Sequence, residues 1–335
     1  MTDDGFRAEP ATLFLTDEDV AALADWDRVI AALREAYLRG DVPGTTPERA
    51  VASTAAGWQR VMTSAPPGAR FAGSKTIAAS MRNGLASYLI TLFDQQDSRL
   101  AALVDGNRVT GLRTAGTAAA ALTALLPGGP VTAAVVGSGF EARAQLRAAS
   151  RVADITAARV SSPTRANRER FAEELGEELG LPITAVETAR DAVEGAGLVL
   201  AAARSRDDTP TVLSEWVGDD ATIVSVGSTT PSQFELDPAL VGRAALVVAD
   251  AMEEVLHDSG DLIAARRAGH DPAAVTVSLH DLLGGRAGRP GHGIAIYKST
   301  GSGFQDIVLA ESLYELAVER GLGTPLPVGI LTIRK

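Results

Sequence analysis

The chain of 335 residues contains no cysteine. Disulfides, thiolate nucleophiles and cysteine-ligated metal centres are therefore excluded. Basic residues are in the minority, with 31 Lys plus Arg against 42 Asp plus Glu and a net charge of −11. Nucleic acids and acidic membranes select basic faces, so neither is an expected partner, and the acidity reads as plain solubility. Long apolar runs are missing as well. The longest, Ala115 to Leu126, is too short to span a bilayer and stops at Pro127-Gly128-Gly129-Pro130. The first residues, MTDDGFRAEP, lack the cationic start and apolar core of a secretory signal, so the expectation is a soluble, cytoplasmic protein. His257, His270, His280 and His292 show no metal-ligand spacing, and no metal is expected. No internal repeat or low-complexity tract is evident beyond alanine enrichment.

What the chain does contain is enough for two cores, since 46% of it is hydrophobic. Its most informative segment is Val131 to Gln145, VTAAVVGSGFEARAQ. A short apolar strand runs into Gly137-Ser138-Gly139, and an amphipathic helix follows with Ala142 at the third small position. This is a GxGxxA dinucleotide fingerprint in its proper strand-to-helix context. Gly137 permits the tight turn, Gly139 leaves the pyrophosphate unobstructed, and Ala142 lets the helix pack closely on the sheet. The diphosphate would rest on free N–H groups at the positive end of the helix.

Around this segment the pattern divides in two. Thr16 followed by Asp17, Glu18 and Asp19 predicts a capped helix start leading into a periodic segment from Val20 to Leu38. Alternation then predicts strands at Arg60–Ser64, Phe71–Ala79, Ser87–Phe93 and Leu100–Val104, with Asp105-Gly106 as a hairpin turn before Arg108–Thr110. An Ala-rich helix is predicted from Arg113 to Leu126. From Val131 onward strands at Val131–Val136, Ala157–Val160, Ile183–Val186, Leu198–Ala202, Ala221–Val226 and Ala245–Val248 alternate with helices such as Phe140–Arg151 and Arg165–Leu179, which implies a doubly wound parallel sheet. Phe304 to Arg320 reads as a final helix, stopped by Gly321 and Gly323.

The end of the second strand sets the choice of cofactor. An acid there would accept the ribose 2′-hydroxyl of NAD, but the segment is Arg159-Val160-Ser161-Ser162-Pro163-Thr164-Arg165. Hydroxyls and a cation favour NADP(H), with Ser162, Thr164 and Arg165 as phosphate contacts and NAD(H) as the alternative. Ser162 or Thr164 could equally cap the following helix. Three cations lie on otherwise uncharged stretches: Arg49, Lys75 and Arg113. A cation in such surroundings needs an anion, either a substrate carboxylate or an internal ion pair.

The runs Lys75 to Asp94, DGNRVTGLRTA from Asp105 to Ala115, VVGSG from Val135, VGS from Val226, and KSTGSGFQD from Lys298 to Asp306 resemble the ornithine cyclodeaminase and mu-crystallin family. The similarity covers nearly the whole chain, from Thr16 to Gly323. It implies a Rossmann-type doubly wound sheet at residues 127–304, and an α+β substrate-binding and dimerisation lobe built from both termini, 1–126 and 305–335. It also implies a homodimer and hydride exchange between a nicotinamide and the α-carbon of an amino or imino acid. Arg49, Lys75 and Arg113 match the family's substrate-carboxylate ligands. The cofactor set extends to Thr114, Phe140, Glu141, Val226, Gly227 and Ser228. Lys298 and Asp306 flank a turn that in the family lies beside the nicotinamide, unless they serve as simple caps. Glu235 and Asp237 are expected at a helix start after the 226–231 loop, where Glu235 could hold that loop.

One departure bears on mechanism. In the cyclodeaminase and the alanine dehydrogenase of the family an Asp follows the glycine-rich strand end, whereas here Thr229 stands in its place. A threonine can hydrogen-bond but cannot hold a cationic amine by charge. The expected function is therefore an NAD(P)H-dependent reductase of a small α-imino acid, with Lys75 as either proton donor or carboxylate ligand. The alternatives are a cyclodeaminase with bound NAD and a non-catalytic NADP-binding, crystallin-like protein.

Overall fold

The computed structural model describes residues 11–40, 42–203, 205 and 209–333; the N-terminal segment MTDDGFRAEP lies outside the described residues. The chain divides into two compact units, one from residues 1–25, 41–110 and 303–335, the other from 26–40 and 111–302. Relative to boundaries at 126/127 and 304/305, packing carries two helical stretches into the second unit. The helix Trp26–Arg39 lies so close to Gly116 that a Cβ there would meet Val29 Cγ1 at 2.6 Å and Leu33 Cδ1 at 2.9 Å. Ile30 joins Ala115, Ala119, Ala120, Ala144 and Ala148 in one buried cluster. Small side chains thus hold these helices together at short range.

In the first unit seven strands form one sheet. Its order is Thr324–Pro325, Leu13–Leu15, Leu100–Asp105, Leu85–Asp94, Phe71–Ser80, Gly57–Ser64 and Ala50–Ser53. Neighbours run antiparallel except Leu13–Leu15 beside Leu100–Asp105. Both termini contribute, since Leu13 pairs with Pro325. The helix Gly303–Arg320 packs on one face, where a Cβ on Gly73 would come within 2.9 Å of Ile307 Cδ1.

Two readings of this region are corrected. Asp105-Gly106 is not a hairpin turn: the strand ends at Asp105 and the helix Gly106–Leu125 begins at once. The Asp105 carboxylate accepts the Asn107 amide at 3.0 Å, and Gly106 packs against Tyr88 and Ile90, where a Cβ would be crowded. The same Asp that favours a turn also caps a helix, and the close packing selects the second use. The periodic segment 20–38 is broken into Asp17–Leu23 and Trp26–Arg39, because Ala24 is extended. Thr16 does form the expected cap, as a capping box with Asp19.

The second unit carries an eight-stranded, wholly parallel sheet. Its order is Thr276–Ser278, Ala244–Ala249, Ile294–Lys298, Thr222–Ser225, Leu198–Ala201, Pro130–Val136, Asp154–Ser161 and Ile183–Val186. This is the doubly wound Rossmann type. Successive strands leave Pro130–Val136 first toward one edge and then, from Leu198–Ala201, toward the other, so these two neighbours flank the switch point at which such sheets bind ligands. The strand Ile294–Lys298, wholly buried in the middle of the sheet, is absent from the expected set.

Candidate functional site

At the switch point the backbone conformation follows from the glycines. Gly137 has φ +113°, and a Cβ on it would lie 2.7 Å from the Ala202 carbonyl oxygen. Gly139 occupies the N-cap of the helix Phe140–Val152 without any side-chain cap, and open space surrounds the position its Cβ would take. An uncapped helix start facing open space fits a diphosphate. Phe140, half exposed, lays its ring against Gly111, where a Cβ would come within 2.4 Å. Glu141 sits in the first turn and Ala142 is buried against the unit's interior, as a close helix-to-sheet contact requires.

Beside the glycine turn, Ser138 Oγ donates to Ser162 Oγ at 2.9 Å. Ser162 follows directly on the strand Asp154–Ser161, and no acid stands there. Thr164 takes the N-cap position of the helix Arg165–Leu179, yet its hydroxyl makes no capping bond. Arg165 is largely exposed and pairs with Glu169 at 2.7 Å, while Arg168 donates to the Ser162 carbonyl. The structure therefore gathers Ser138, Ser162, Thr164 and Arg165 around the end of one strand.

The loop after Thr222–Ser225 carries Val226, Gly227, Ser228 and Thr229. Ser228 is buried and donates to the Gln233 carbonyl at 2.5 Å, and the Thr229 amide donates to Gln233 Oε1 at 3.2 Å. Gln233 thus holds the backbone at Thr229. Behind the loop Glu235 is wholly buried and accepts from the Ala203 and Gly227 amides at 3.0 and 2.9 Å and from Ser225 Oγ at 2.7 Å. Burial pushes its carboxyl up to about 7; Lys298, Ser225 and Gly227 oppose the rise and Asp261 adds to it. Asp237 caps the helix Pro238–Gly242. Lys298 is wholly buried, its ammonium 2.8 Å from both Asp261 Oδ2 and Ser225 Oγ.

Arg113 also belongs to the second unit and is 7% exposed. Its guanidinium lies against Gly301, φ +75°, where a Cβ would stand 2.4 Å from a terminal nitrogen. That turn is set by Asp250, whose carboxylate accepts from Ser299 Oγ at 2.6 Å and from the Thr300 and Gly301 amides. Thr114 next to it is buried. Asp250 and Gln233 gave no signal in the sequence, because each acts through backbone groups that no motif records.

In the first unit Lys75 has no exposed surface. Its ammonium meets Asp306 Oδ1 at 2.7 Å and Thr110 Oγ1 at 3.3 Å. Asp306 comes from the first turn of the helix Gly303–Arg320, so it is an ion-pair partner rather than a cap. Arg49 precedes the edge strand Ala50–Ser53 of the same unit. Among the described residues, no group of three or more His, Asp or Glu could hold a metal, and no helix is long and apolar enough to cross a membrane.

A doubly wound sheet with an uncapped, glycine-opened helix at its switch point defines a dinucleotide-binding α/β protein. The chain belongs to the ornithine cyclodeaminase/mu-crystallin family, whose model matches residues 11–321. It is 30% identical over 240 residues to the iminosuccinate reductase of Paracoccus denitrificans, covering 71% of this chain and 73% of that protein. The mouse ketimine reductase mu-crystallin is 28% identical over 228 residues, 68% of each chain. Among solved structures, the Thermococcus litoralis Delta(1)-pyrroline-2-carboxylate reductase, in complex with NADH and L-proline, superposes with a TM-score of 0.87. It is 29% identical and the match covers 94% of this chain and all of that one.

Replacing Asp306 by Asn leaves the Lys75 ammonium buried without its counter-charge. The expected loss of stability is about 3–5 kcal/mol, read from the denaturant midpoint. A variant within 0.5 kcal/mol of the parent, roughly the scatter of a neutral surface change, would show that the pair does not operate in solution.

Proposed function

We propose that this protein is an NAD(P)H-dependent reductase of a small α-imino acid. The observation that carries the reading is the glycine-opened nucleotide site together with Thr229 held by Gln233 where a carboxylate would be needed to grip a second amine. The named relatives support it, since they are an iminosuccinate reductase, a Delta(1)-pyrroline-2-carboxylate reductase and a ketimine reductase. Within this reading residues 127–304 are the nucleotide domain and the terminal segments form the substrate lobe. Gly137, Ser138, Gly139, Phe140 and Glu141 form the turn and helix start that receive the diphosphate, and Ala142 sets the close helix-to-sheet packing behind it. Thr114, Val226, Gly227 and Ser228 line the rest of the nucleotide site, and Lys298 supports it.

Arg49, Lys75 and Arg113 are the substrate's carboxylate ligands. When bound, the nicotinamide supplies the hydride that reduces the imine carbon. Lys75, whose Nζ donates to Asp306 and Thr110, serves in this reading either as a proton donor to the C=N nitrogen or as a carboxylate ligand alone. Turnover tests this: pyruvate or another oxo acid with ammonia or methylamine should consume NAD(P)H in step with amino acid formed. Tight nucleotide binding with no turnover on any such mixture would sink the enzyme reading.

NADP(H) is the cofactor we favour, since Ser162, Thr164 and Arg165 surround the strand end without an acid. Exchanging Ser162 for Asp should shift the ratio of kcat/KM values toward NADH by about tenfold, equivalent to some 1.4 kcal/mol of repulsion of the 2′-phosphate. An unchanged ratio would refute the assignment.

The protein also works as a homodimer in this reading. The face of the first unit's sheet opposite Lys75 is uncharged across two strands: Ala72, Ser74, Thr76 and Ala78 alternate beside Ser87, Leu89, Thr91 and Phe93. Leu89 and Phe93 remain 38% exposed. A second copy covering this face would remove that apolar surface from water. Light scattering after gel filtration should give twice the chain mass, and a Leu89→Lys variant should give one; a monomeric parent protein would dismiss the dimer.

A further inference from the structure

The second unit contains a buried ionic group that binds neither the fingerprint nor the substrate cations directly. Two carboxylates and one ammonium meet with no exposed surface: Glu235, Asp261 and Lys298. Burying three charges needs compensation, and here it comes from the Lys298–Asp261 ion pair, from backbone amides and from one hydroxyl. Asp261 Oδ1 accepts the Glu235 and Leu236 amides at 2.7 and 3.1 Å, fixing the chain on which Glu235 sits. Asp261 Oδ2 takes the Lys298 ammonium at 2.8 Å. Ser225 Oγ links the two halves, receiving from Lys298 and donating to Glu235.

The Glu235 carboxylate then reaches two loops at once. Oε1 holds the Ala203 amide just beyond the strand Leu198–Ala201, and Oε2 holds the Gly227 amide just beyond Thr222–Ser225. The fit is so close that a Cβ on Gly227 would stand 2.4 Å from Glu235 Oε1 and 2.7 Å from the Ala203 carbonyl oxygen. On the other side of that segment, the Ala202 carbonyl approaches Gly137, the first fingerprint glycine. A continuous series of contacts therefore runs from the fingerprint through Ala202 and Ala203 to Glu235, and on to the loop that carries Ser228 and Thr229.

We infer that Glu235 is a positioning residue for the dinucleotide: its carboxylate, anchored by Asp261 and Lys298, fixes the loops after two adjacent strands in the conformation that receives the cofactor. This rests on the reading of the second unit as the nucleotide site. The two backbone amides that Glu235 touches can only donate, so the carboxylate serves both as an acceptor, whereas the amide of a glutamine there would turn its own N–H toward one of them. The charged groups facing Glu235 are Lys298 from its strand and Asp261 from the helix Gly260–Arg267; Ser225 adds a hydroxyl.

The test measures NADH affinity by fluorescence for the full-length parent protein and a Glu235→Gln variant, between pH 6 and 8. The amide keeps the shape and loses the charge. The dissociation constant for NADH should rise about tenfold at pH 8, the loss of one charge-assisted hydrogen bond, while the KM for the imino substrate moves less than twofold. The parent's affinity should weaken as pH falls through 7 and approach that of the variant, whose own affinity should stay flat. A Ser225→Ala variant, which keeps every charge, should weaken NADH binding about threefold, and it decides the matter if Glu235→Gln does not fold. Equal NADH affinity in parent and variants would overturn this inference alone. So would a loss that affects NADH and the imino substrate alike, because that marks a merely structural role. A parent protein that binds no nicotinamide nucleotide would overturn the functional reading together with it.

Discussion

Two lysines with no exposed surface govern how this chain is arranged. An ammonium removed from water is tolerated only beside an anion, so Lys75 and Lys298 each demand a buried carboxylate. Asp306 meets the first and Asp261 the second. Each pair joins a strand to a helix. In the first unit the pair fixes the start of the helix Gly303–Arg320 against the sheet. In the second it anchors the segment from which Glu235 reaches the strand ends.

The glycines act within the frame that these pairs set. Gly137, Gly227 and Gly301 each allow a close approach that any side chain would block: to the Ala202 carbonyl, to the Glu235 carboxylate and to the Arg113 guanidinium. The second unit thus combines buried charge, which fixes position, with missing side chains, which give access.

Much of this was legible in the residues. Alternating strands and helices after Val131 predicted the parallel sheet, and the helix Arg165–Leu179 and the strand Ile183–Val186 lie where periodicity put them. The capped start at Thr16 is also present. The strand Ile294–Lys298 escaped because glycines, a proline and polar residues crowd its approach, and its own side chains show no alternation when both faces are buried. Asp105-Gly106 misled because local turn chemistry and helix capping use the same residue types.

By itself, the sequence determined the class of cofactor, since a GxGxxA turn is a local device whose three small residues act within one strand-turn-helix unit. It also marked Arg49, Lys75 and Arg113 as cations out of place. Only the tertiary structure decided what answers two of the buried charges, because Lys75 and Asp306 are 231 residues apart and Lys298 and Asp261 are 37 apart. It likewise decided that Glu235 holds two loops, through amides of Ala203 and Gly227 that carry no side-chain signature. Hydrogen bonds to backbone groups depend on where the chain passes, and that is settled by packing over the whole unit.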